Sequence, residues 1–315
     1  MHRNRPLAKM LLCFDASAFV EAISFQVVER LGRDGHQGIV LGASGGLDSM
    51  VAAALCCRGA ARSGKHGVVA VCMTDARLCG ERYNTELYRE LGAELFRIDI
   101  THEAASAEAR MNLPPRHRIR FILNAFKIMP RRLRKIITLA AVSRSLPRWA
   151  SKYQEALLLH HRIRIKKLRE IANSFRYLTV VCANRTESDL GYYVEGGIDD
   201  PSTGDWSPIL GLYKTQVALT ARYLKISPLV LRQQPSPGFG VIVDEDILGP
   251  YALVDQALVG IARGYSDEAV AELMDPAVQA VLPWNRGAPR LGNRRSFVRF
   301  IRRMTNAARR AKLGK

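Results

Sequence analysis

Residues 38–49 read GIVLGASGGLDS, and this stretch decides the fold class. The apolar run 38–42 predicts a short buried strand, a glycine-rich turn follows it, and the apolar spacing from Leu47 onward predicts a helix. The backbone N–H groups of such a turn, together with the partial positive charge of a helix N-terminus, can hold an anion. The stretch therefore predicts a strand–turn–helix unit suited to binding phosphate.

Three further apolar runs predict strands at 67–73, 95–100 and 177–182. They lack the alternation of a half-exposed strand, and segments with helical spacing separate them. These predicted helices span 16–31, 47–55, 81–91, 155–174, 214–224, 250–263 and 266–274. Continuous apolar strands separated by helices are typical of a parallel sheet covered on both faces. The predicted fold class is therefore α/β, a parallel sheet with helices on both faces.

The positive charge is concentrated in two segments. The chain has 47 Lys+Arg against 29 Asp+Glu, a formal net charge of +18. Residues 110–170 contain 17 Lys/Arg and 2 Asp/Glu, and residues 285–315 contain 11 Lys/Arg and no acid. We predict a single domain over 1–284 with a basic helical insertion at about 110–155, followed by a basic C-terminal tail at 285–315. Both segments are either solvated surfaces or contacts to an anion such as nucleic acid, phosphate or lipid headgroups.

Composition also limits the protein class. No apolar run approaches the ~18–20 residues that span a bilayer, and the N-terminal apolar patch is shorter than that of a signal peptide. The six cysteines lack the spacing of a zinc or disulfide framework. These observations favour a cytoplasmic protein.

The turn at 42–46 admits three interpretations. It could be an ordinary glycine-rich turn, or a hydrolase elbow, because Gly42–Gly46 satisfies G-x-S-x-G. An elbow needs a late histidine as base, and the last histidine here is His161. The third interpretation is an anion cradle. Asp48 in the first helical turn would repel a phosphate unless a divalent cation lay between them. The G-x-x-x-x-G-K-[ST] motif of kinases and ATPases is absent from the sequence.

The S-G-G-x-D-S pattern of residues 44–49 resembles the PP-loop of the ATP pyrophosphatases, whose fold is called adenine nucleotide alpha-hydrolase-like. These enzymes split ATP into AMP and pyrophosphate to activate a carboxylate or carbonyl oxygen. The superfamily includes NAD synthases, GMP synthetases, asparagine synthetases and tRNA-modifying enzymes. The motif is specific for the superfamily and not for the substrate.

An ordered series of motifs resembles ammonia-dependent NAD synthase. The series is NRTE at 184–187, LGYY at 190–193, LYKTQ at 212–216, PSPGF at 235–239 and DEDILG at 244–249. The resemblance covers roughly 20–100 and 160–275 and leaves out the insertion and the tail. It implies an ATP-dependent ligase that adenylates nicotinate adenine dinucleotide, releases pyrophosphate and forms the amide of NAD with ammonia.

The same resemblance implies roles for individual residues. Asp48, Lys214 and Asp205 are the expected catalytic residues, and Asp48 and Glu187 would hold Mg²⁺, which prefers oxygen ligands. Arg162, Arg164, Asp199 and Asp200 are the expected substrate-binding residues. The expected ATP-binding residues are Gly42, Ser44, Gly45, Gly46, Ser49, Cys182, Lys214 and Ser236. The resemblance also implies a homodimer. The chain length leaves no space for a glutaminase domain, so we expect free ammonia or a separate glutaminase subunit.

Several positions depart from the family pattern. Val181 and Cys182 replace a small glycine and a nucleotide-contacting threonine, and Leu157–His161 lacks the usual acid and amide. The acidic loop 196–205 is longer than in the family, and the insertion is longer and more basic. The changes lie on the substrate side. Two alternatives therefore stay open: a related amide ligase that acts on a different carboxylate, or a PP-loop tRNA-modifying enzyme. Nucleic acid or another anionic surface could contact 110–170 and 285–315.

Overall fold

A four-stranded parallel sheet forms the centre of the protein. The computed structural model describes residues 6–64, 67–77, 85–236, 243–284 and 293–313. The strands are β1 (Gly38–Gly42), β2 (Gly67–Thr74), β3 (Glu94–Asp99) and β4 (Tyr177–Val180), in the order β3-β2-β1-β4. All pairings are parallel. The predicted fold class is confirmed.

The helices of the described residues include several that the sequence did not predict, such as those at Pro6–Leu12, Thr101–Arg110 and Arg294–Leu313. In the first half they are α1 (Pro6–Leu12), α2 (Ala16–Arg33), α3 (Leu47–Ser63), α4 (Leu87–Glu90), α5 (Thr101–Arg110), α6 (Arg116–Ile128), α7 (Arg131–Val142) and α8 (Arg148–Phe175). In the second half they are α9 (Arg185–Leu190), α10 (Lys214–Tyr223), α11 (Pro228–Leu231), α12 (Asp244–Leu248), α13 (Tyr251–Ala262), α14 (Asp267–Leu273) and α15 (Arg294–Leu313), with a 3-10 helix at Pro276–Val281. The predicted helix at 81–91 lies partly outside the described residues.

Alternate side chains of each strand enter different cores. Ile39 and Leu41 of β1 belong to a large cluster that includes α2 and α3. Val40, between them, belongs to a second cluster with Ile165 and Leu168 of α8. Successive side chains of a strand point to opposite faces. Helices therefore cover the sheet on both faces, which explains why the strands are continuously apolar.

Prolines set the helix boundaries of the basic insertion. Pro115, Pro130 and Pro147 are the N-cap residues of α6, α7 and α8. A proline lacks the N–H that a helix interior requires, so it is tolerated at this end. The predicted helix 155–174 accordingly begins earlier, at Arg148. No side chain of α6 is buried.

The segment predicted as a basic tail contains a packed helix. Helix α15 buries an apolar stripe that includes Phe297, Ile301, Met304 and Ala308. It packs against α7, α13 and α14. The stripe recurs at helical spacing between the arginines, and that period indicates burial. Residues 294–313 are therefore a packed amphipathic helix, and the division of the chain at 285 stays a prediction.

Among the described residues, no single helix has the length and apolar composition of a membrane span, although α1 and α2, bent by 49° at their break, meet these criteria as a pair. Within the described ranges, no disulfide joins Cys13, Cys56, Cys57, Cys72 or Cys182.

Candidate active site at the carboxyl ends of β1 and β4

The glycine-rich turn after β1 is held by its own hydroxyl groups. Ser44 Oγ lies 2.7 Å from Ser49 Oγ and accepts a hydrogen bond of 3.2 Å from the Gly46 N–H. Ser49 Oγ donates to the Gly46 carbonyl at 3.0 Å. Gly45 has φ +73°, a conformation that favours glycine. A Cβ on Gly42 would lie 2.5 Å from Ile198. The structure thus places these five predicted phosphate-binding residues in one turn.

Three predicted residues from different helices meet beside this turn. Lys214, at the start of α10, forms an ion pair with Asp48 in the first turn of α3. Its ammonium Nζ also lies 3.4 Å from Glu187 Oε1 on α9. Asn184 donates from Nδ2 to Asp48 Oδ1 at 3.2 Å. The Lys214 side chain is only 3% exposed. We call Asp48, Glu187 and Lys214 the ion cluster.

A buried aspartate positions the helices that carry Glu187 and Lys214. Asp255 on α13 accepts hydrogen bonds from Thr186 Oγ1 at 2.6 Å and from the Thr215 N–H at 2.7 Å. The Lys214 N–H in turn donates to Thr186 Oγ1 at 2.9 Å. Burial raises the pKa of Asp255 to about 6, although these hydrogen bonds oppose the shift. Asp255 lies outside the sequence motifs, in a helix that is mostly apolar.

The ion cluster and the adjacent Asp244 contain more acidic than basic groups. Burial, opposed by Lys214 and reinforced by Asp48, raises the pKa of Glu187 to about 8. Burial disfavours the Lys214 ammonium, but Asp48 and Glu187 outweigh it and raise the pKa of Lys214. Burial also raises the pKa of Asp244, despite the charge of Lys214. Three carboxyl groups therefore lie near one ammonium, and a further cation would favour their ionised forms.

Asp244 is a site residue to which the sequence analysis gave no role. It begins α12, and its carboxylate accepts hydrogen bonds from Tyr192 Oη at 3.1 Å and Tyr251 Oη at 3.0 Å. The Lys214 ammonium lies 5.2 Å from the centroid of the Tyr251 ring, a cation–π distance. Asp244 is the first residue of the DEDILG motif, and this motif was the one feature of the sequence that pointed to it.

The donor atoms of the ion cluster fit Mg²⁺. Mg²⁺ is bound by one or two carboxylates together with substrate phosphates. Asp48 and Glu187 offer such oxygens at the end of the phosphate-binding turn, and Glu187 becomes a ligand when its carboxyl group, whose pKa burial raises to about 8, loses its proton. These residues would hold the ion.

Two predicted nucleotide-binding residues lie at the edge of this region. Cys182 follows β4 and is half-buried, and burial together with Asp48 and Glu187 raises the pKa of its thiol. Cys182 is therefore a neutral thiol close to the ion cluster. Ser236 is exposed after α11, next to residues outside the described part of the chain.

The predicted substrate residues lie at the boundary between α8 and the loop 194–205. Asp199 Oδ1 lies 3.1 Å from His161 Nδ1, and Asp200 accepts from the Gly196 N–H at 2.8 Å. Arg162 Nε donates to the Glu195 carbonyl at 3.2 Å. Arg164 is half-buried on the same helix. Burial is the main cause of the raised pKa of Glu187, and the negative charge of Asp199 adds to it. Asp199 therefore interacts electrostatically with the ion cluster.

The structure does not bring Asp205 to the ion cluster. Its carboxylate Oδ2 accepts a hydrogen bond of 2.7 Å from the backbone N–H of Thr179 in β4. Asp205 also lines a cavity of about 490 Å³ with Gly35, Arg169 and Tyr177, at the amino ends of β1 and β4. This placement makes Asp205 a partner of the sheet edge.

A second charged cluster follows β2 and was also missed. Asp75 Oδ2 lies 2.8 Å from His160 Nε2 and 2.7 Å from Arg116 on α6. Arg77 binds both Asp75 and Glu108. Burial alone would raise the pKa of Asp75, but hydrogen bonds from Arg77, His160 and Arg116 hold it well below its usual range. Donor atoms of Asp75, Glu108 and His160 lie within 4.8 Å of one another, as in metal sites. Two guanidinium groups already neutralise the carboxylates, so this network ties the insertion to the sheet.

The family model described as NAD synthase matches residues 19–145 and 139–286 of this chain. The chain belongs to the NAD synthase family. An NH(3)-dependent NAD(+) synthetase of Mesorhizobium japonicum is 30% identical over 298 residues, which cover 86% of this chain and 92% of that one. The family resemblance seen in the motifs is confirmed.

Two solved structures share the fold of this family member. NMN synthetase from Francisella tularensis has a TM-score of 0.59 at 19% identity, covering 88% of this chain and 100% of that one. NAD+ synthetase from Burkholderia pseudomallei has a TM-score of 0.54 at 22% identity, covering 89% and 92%. These likenesses concern the fold alone.

Proposed function

We propose that this chain is an ATP-dependent carbon–nitrogen ligase that converts nicotinate adenine dinucleotide to NAD with ammonia. The supporting observation is the ion cluster of Asp48, Glu187 and Lys214 beside the S-G-G-x-D-S turn. A phosphate-binding turn next to paired carboxylates and a buried ammonium suits cleavage of ATP to AMP and pyrophosphate. Membership of the NAD synthase family and the Mesorhizobium japonicum relative support the acceptor.

The proposed reaction has two steps. A carboxylate oxygen of the substrate attacks the α-phosphorus of ATP, the bond to the β-phosphate oxygen breaks, and pyrophosphate leaves. Ammonia then attacks the acyl carbon of the adenylate, AMP leaves with the C–O bonding electrons, and one ammonia proton is released. Orientation and charge neutralisation carry such a reaction, so it needs no protein nucleophile.

The residues of the site divide this work. Gly42, Ser44, Gly45, Gly46 and Ser49 orient the triphosphate. Lys214 neutralises charge that develops on the departing pyrophosphate, because its raised pKa keeps it cationic. Asp48 and Glu187 would hold Mg²⁺, which supplies further neutralisation of the phosphates when bound.

We also propose roles for the other residues that the family resemblance implied. Cys182 and Ser236 would border the nucleotide. Arg162, Arg164, Asp199 and Asp200 would form the wall for the dinucleotide along α8. For Asp205 the contact with Thr179 favours support of β4 over catalysis.

An isotope experiment tests the acyl-adenylate step. Substrate labelled with ¹⁸O in its carboxylate should transfer one ¹⁸O to the phosphate of AMP, because the attacking oxygen stays bonded to phosphorus. Mass spectrometry of the AMP measures this transfer. Unlabelled AMP would contradict adenylation of the carboxylate.

A different carboxylate acceptor is the second candidate. Val181 replaces a small residue, and its side chain packs so tightly that a Cβ on Gly204 would lie 2.7 Å from it. Val181 is buried in the cluster that also contains Val40 and Ile165. Measuring pyrophosphate release over a panel of carboxylates, with nicotinate mononucleotide included, discriminates the two. Release with a carboxylate other than the dinucleotide would establish the alternative.

A tRNA-modifying activity is the other alternative. Measuring pyrophosphate release with tRNA as the added substrate tests it.

We propose a homodimer, which would cover apolar side chains exposed on the basic insertion. Phe121, Ile128 and Ile136 are 73%, 86% and 62% exposed. Residues 109–154 contain no acid, which favours an anionic partner such as nucleic acid as the alternative. Light scattering at low and high salt tests the dimer, and electrophoretic mobility with RNA tests the alternative. A monomer at all salt concentrations would contradict the dimer.

Ammonia would come from solution or from a separate glutaminase, and the free thiols agree with a cytoplasmic location. A purified chain that forms amide with ammonium and not with glutamine supports this source. Amide formation from glutamine alone would contradict it.

A further inference from the structure

Tyr88 contacts the buried side of the phosphate-binding turn. It is completely buried, on the short helix α4. The backbone N–H of Gly45 donates to Tyr88 Oη at 3.1 Å, and Tyr88 Oη lies 2.8 Å from Ser49 Oγ. The hydroxyl therefore contacts two residues of the turn from a helix 43 positions along the chain.

The direction of these hydrogen bonds follows from counting protons. Ser49 donates its single hydroxyl proton to the Gly46 carbonyl. Tyr88 must then be the donor to Ser49. The result is a continuous chain from the Gly45 N–H through Tyr88 and Ser49 to the Gly46 carbonyl. Burial raises the pKa of Tyr88, which keeps this donor protonated.

This chain fixes two peptides of the turn, the one between Ser44 and Gly45 through its N–H and the one between Gly46 and Leu47 through its carbonyl. Gly45 holds a left-handed backbone conformation at φ +73°. Its N–H is directed at a fully buried hydroxyl, so losing that partner leaves a buried donor unsatisfied. Without this partner the peptides of the turn can rotate. The polar groups of the turn that would bind a phosphate then lose their common orientation.

We propose that Tyr88 is a positioning residue that holds the turn in the conformation that binds the pyrophosphate portion of ATP. The proposal rests on the proposed function, since it assigns phosphate binding to the turn. It adds a residue that none of the sequence motifs contains. Ser49 becomes the link between Tyr88 and Gly46, and it also accepts a hydrogen bond from Ser44 Oγ at 2.7 Å.

Binding calorimetry with pyrophosphate and with AMP, both with Mg²⁺, tests this role. Tyr88→Phe keeps the ring and removes only the hydroxyl. We expect the Kd of pyrophosphate to rise about 10-fold, the order expected from an unsatisfied buried donor. The Kd of AMP should change less than about twofold, on the same affinity scale. Tyr223→Phe is the matched control, because its hydroxyl contacts Ser17 at 2.9 Å on the exposed surface.

A double-variant cycle tests the coupling. If Tyr88 acts through Ser49, the pair Tyr88→Phe and Ser49→Ala should weaken pyrophosphate binding by about the same factor as either single change. Additive losses would contradict the chain. An unchanged Kd of pyrophosphate in Tyr88→Phe, or an equal loss for AMP, would overturn the positioning role. Failure of the unaltered protein to bind pyrophosphate would instead remove the proposed function of the turn.

Discussion

The Lys214 ammonium lies 3.4 Å from Glu187 Oε1 and also pairs with Asp48. One buried cation thus joins the starts of α3 and α10 to α9. The three residues are far apart in sequence and meet because the carboxyl ends of β1 and β4 are neighbours in the sheet.

Asp48→Asn should reduce pyrophosphate release by at least about 10³-fold, the scale of losing a preorganised charge at a reacting phosphate. The amide keeps the shape of the side chain but cannot supply a carboxylate to Mg²⁺. Pyrophosphate release with saturating substrates is the measurement.

Asp189→Asn is the control for this change, because Asp189 forms a surface pair with Arg185 at 3.4 Å. Circular dichroism should show both variants folded. Near-normal turnover in folded Asp48→Asn would contradict a role in holding the metal.

Activity should rise with pH through the range set by Glu187. Its pKa in the folded protein is about 8, so the carboxylate needed for Mg²⁺ is largely neutral at pH 6. The facing groups are Asp48, Lys214, Asp244 and Asp199, and Lys214 stays protonated because its pKa is raised. We expect kcat/KM for ATP to increase from pH 6 to about 8 and then level, as this ratio reports the free enzyme. A flat profile would argue against the shift.

The raised pKa of Glu187 also makes the stability of the protein depend on pH. Between the ordinary value of 4.5 and about 8, the folded protein holds a proton on Glu187 that the unfolded chain releases. Stability from this group therefore falls as pH rises through that window. Without nucleotide, Glu187→Gln should flatten the dependence of Tm on pH. Parallel Tm profiles for the two proteins would show that Glu187 is ionised in the folded state.

Asp205→Ala should lower stability and leave turnover within about threefold. The change leaves the buried Thr179 N–H without its acceptor, at a cost of about 1–3 kcal/mol. Chemical denaturation measures the loss, with Asp34→Ala as an exposed control. A collapse of kcat in a folded variant would instead support the catalytic role inferred from the family.

Helix α15 should behave as part of the core. Ile301 is fully buried, so Ile301→Ala should destabilise the protein by about 2–5 kcal/mol. Arg303→Ala, on the exposed side of the same helix, should change stability by less than about 0.5 kcal/mol. Equal effects of the two substitutions would mean that the helix is not packed in solution.

The sequence predicted the parts of this fold that repeat a local pattern. The strand 38–42 and the turn after it were recognisable because apolar runs and glycines have local meaning. The helical spacing of the apolar residues in α15 is an equally local pattern. The arginines between them made the segment resemble a charged tail. Pro115, Pro130 and Pro147 interrupt the helical spacing of the insertion, but only the structure shows that each is an N-cap.

The site was predictable only where motifs carried it. Asp48, Glu187 and Lys214 came from the family resemblance, and the structure brings them together. Tyr88 and Asp255 could not be found, because their importance lies in a contact with a distant backbone N–H or hydroxyl. A lone tyrosine or aspartate has no spacing that announces such a contact.

The central claim is amide formation from nicotinate adenine dinucleotide. The direct measurement incubates the purified chain with this dinucleotide, ATP, Mg²⁺ and ammonium, and quantifies NAD, AMP and pyrophosphate by chromatography. We expect the three products to appear in equal amounts, and at least about 10³-fold more slowly with Asp48→Asn. Absence of NAD, with pyrophosphate released only when another carboxylate is supplied, would contradict it.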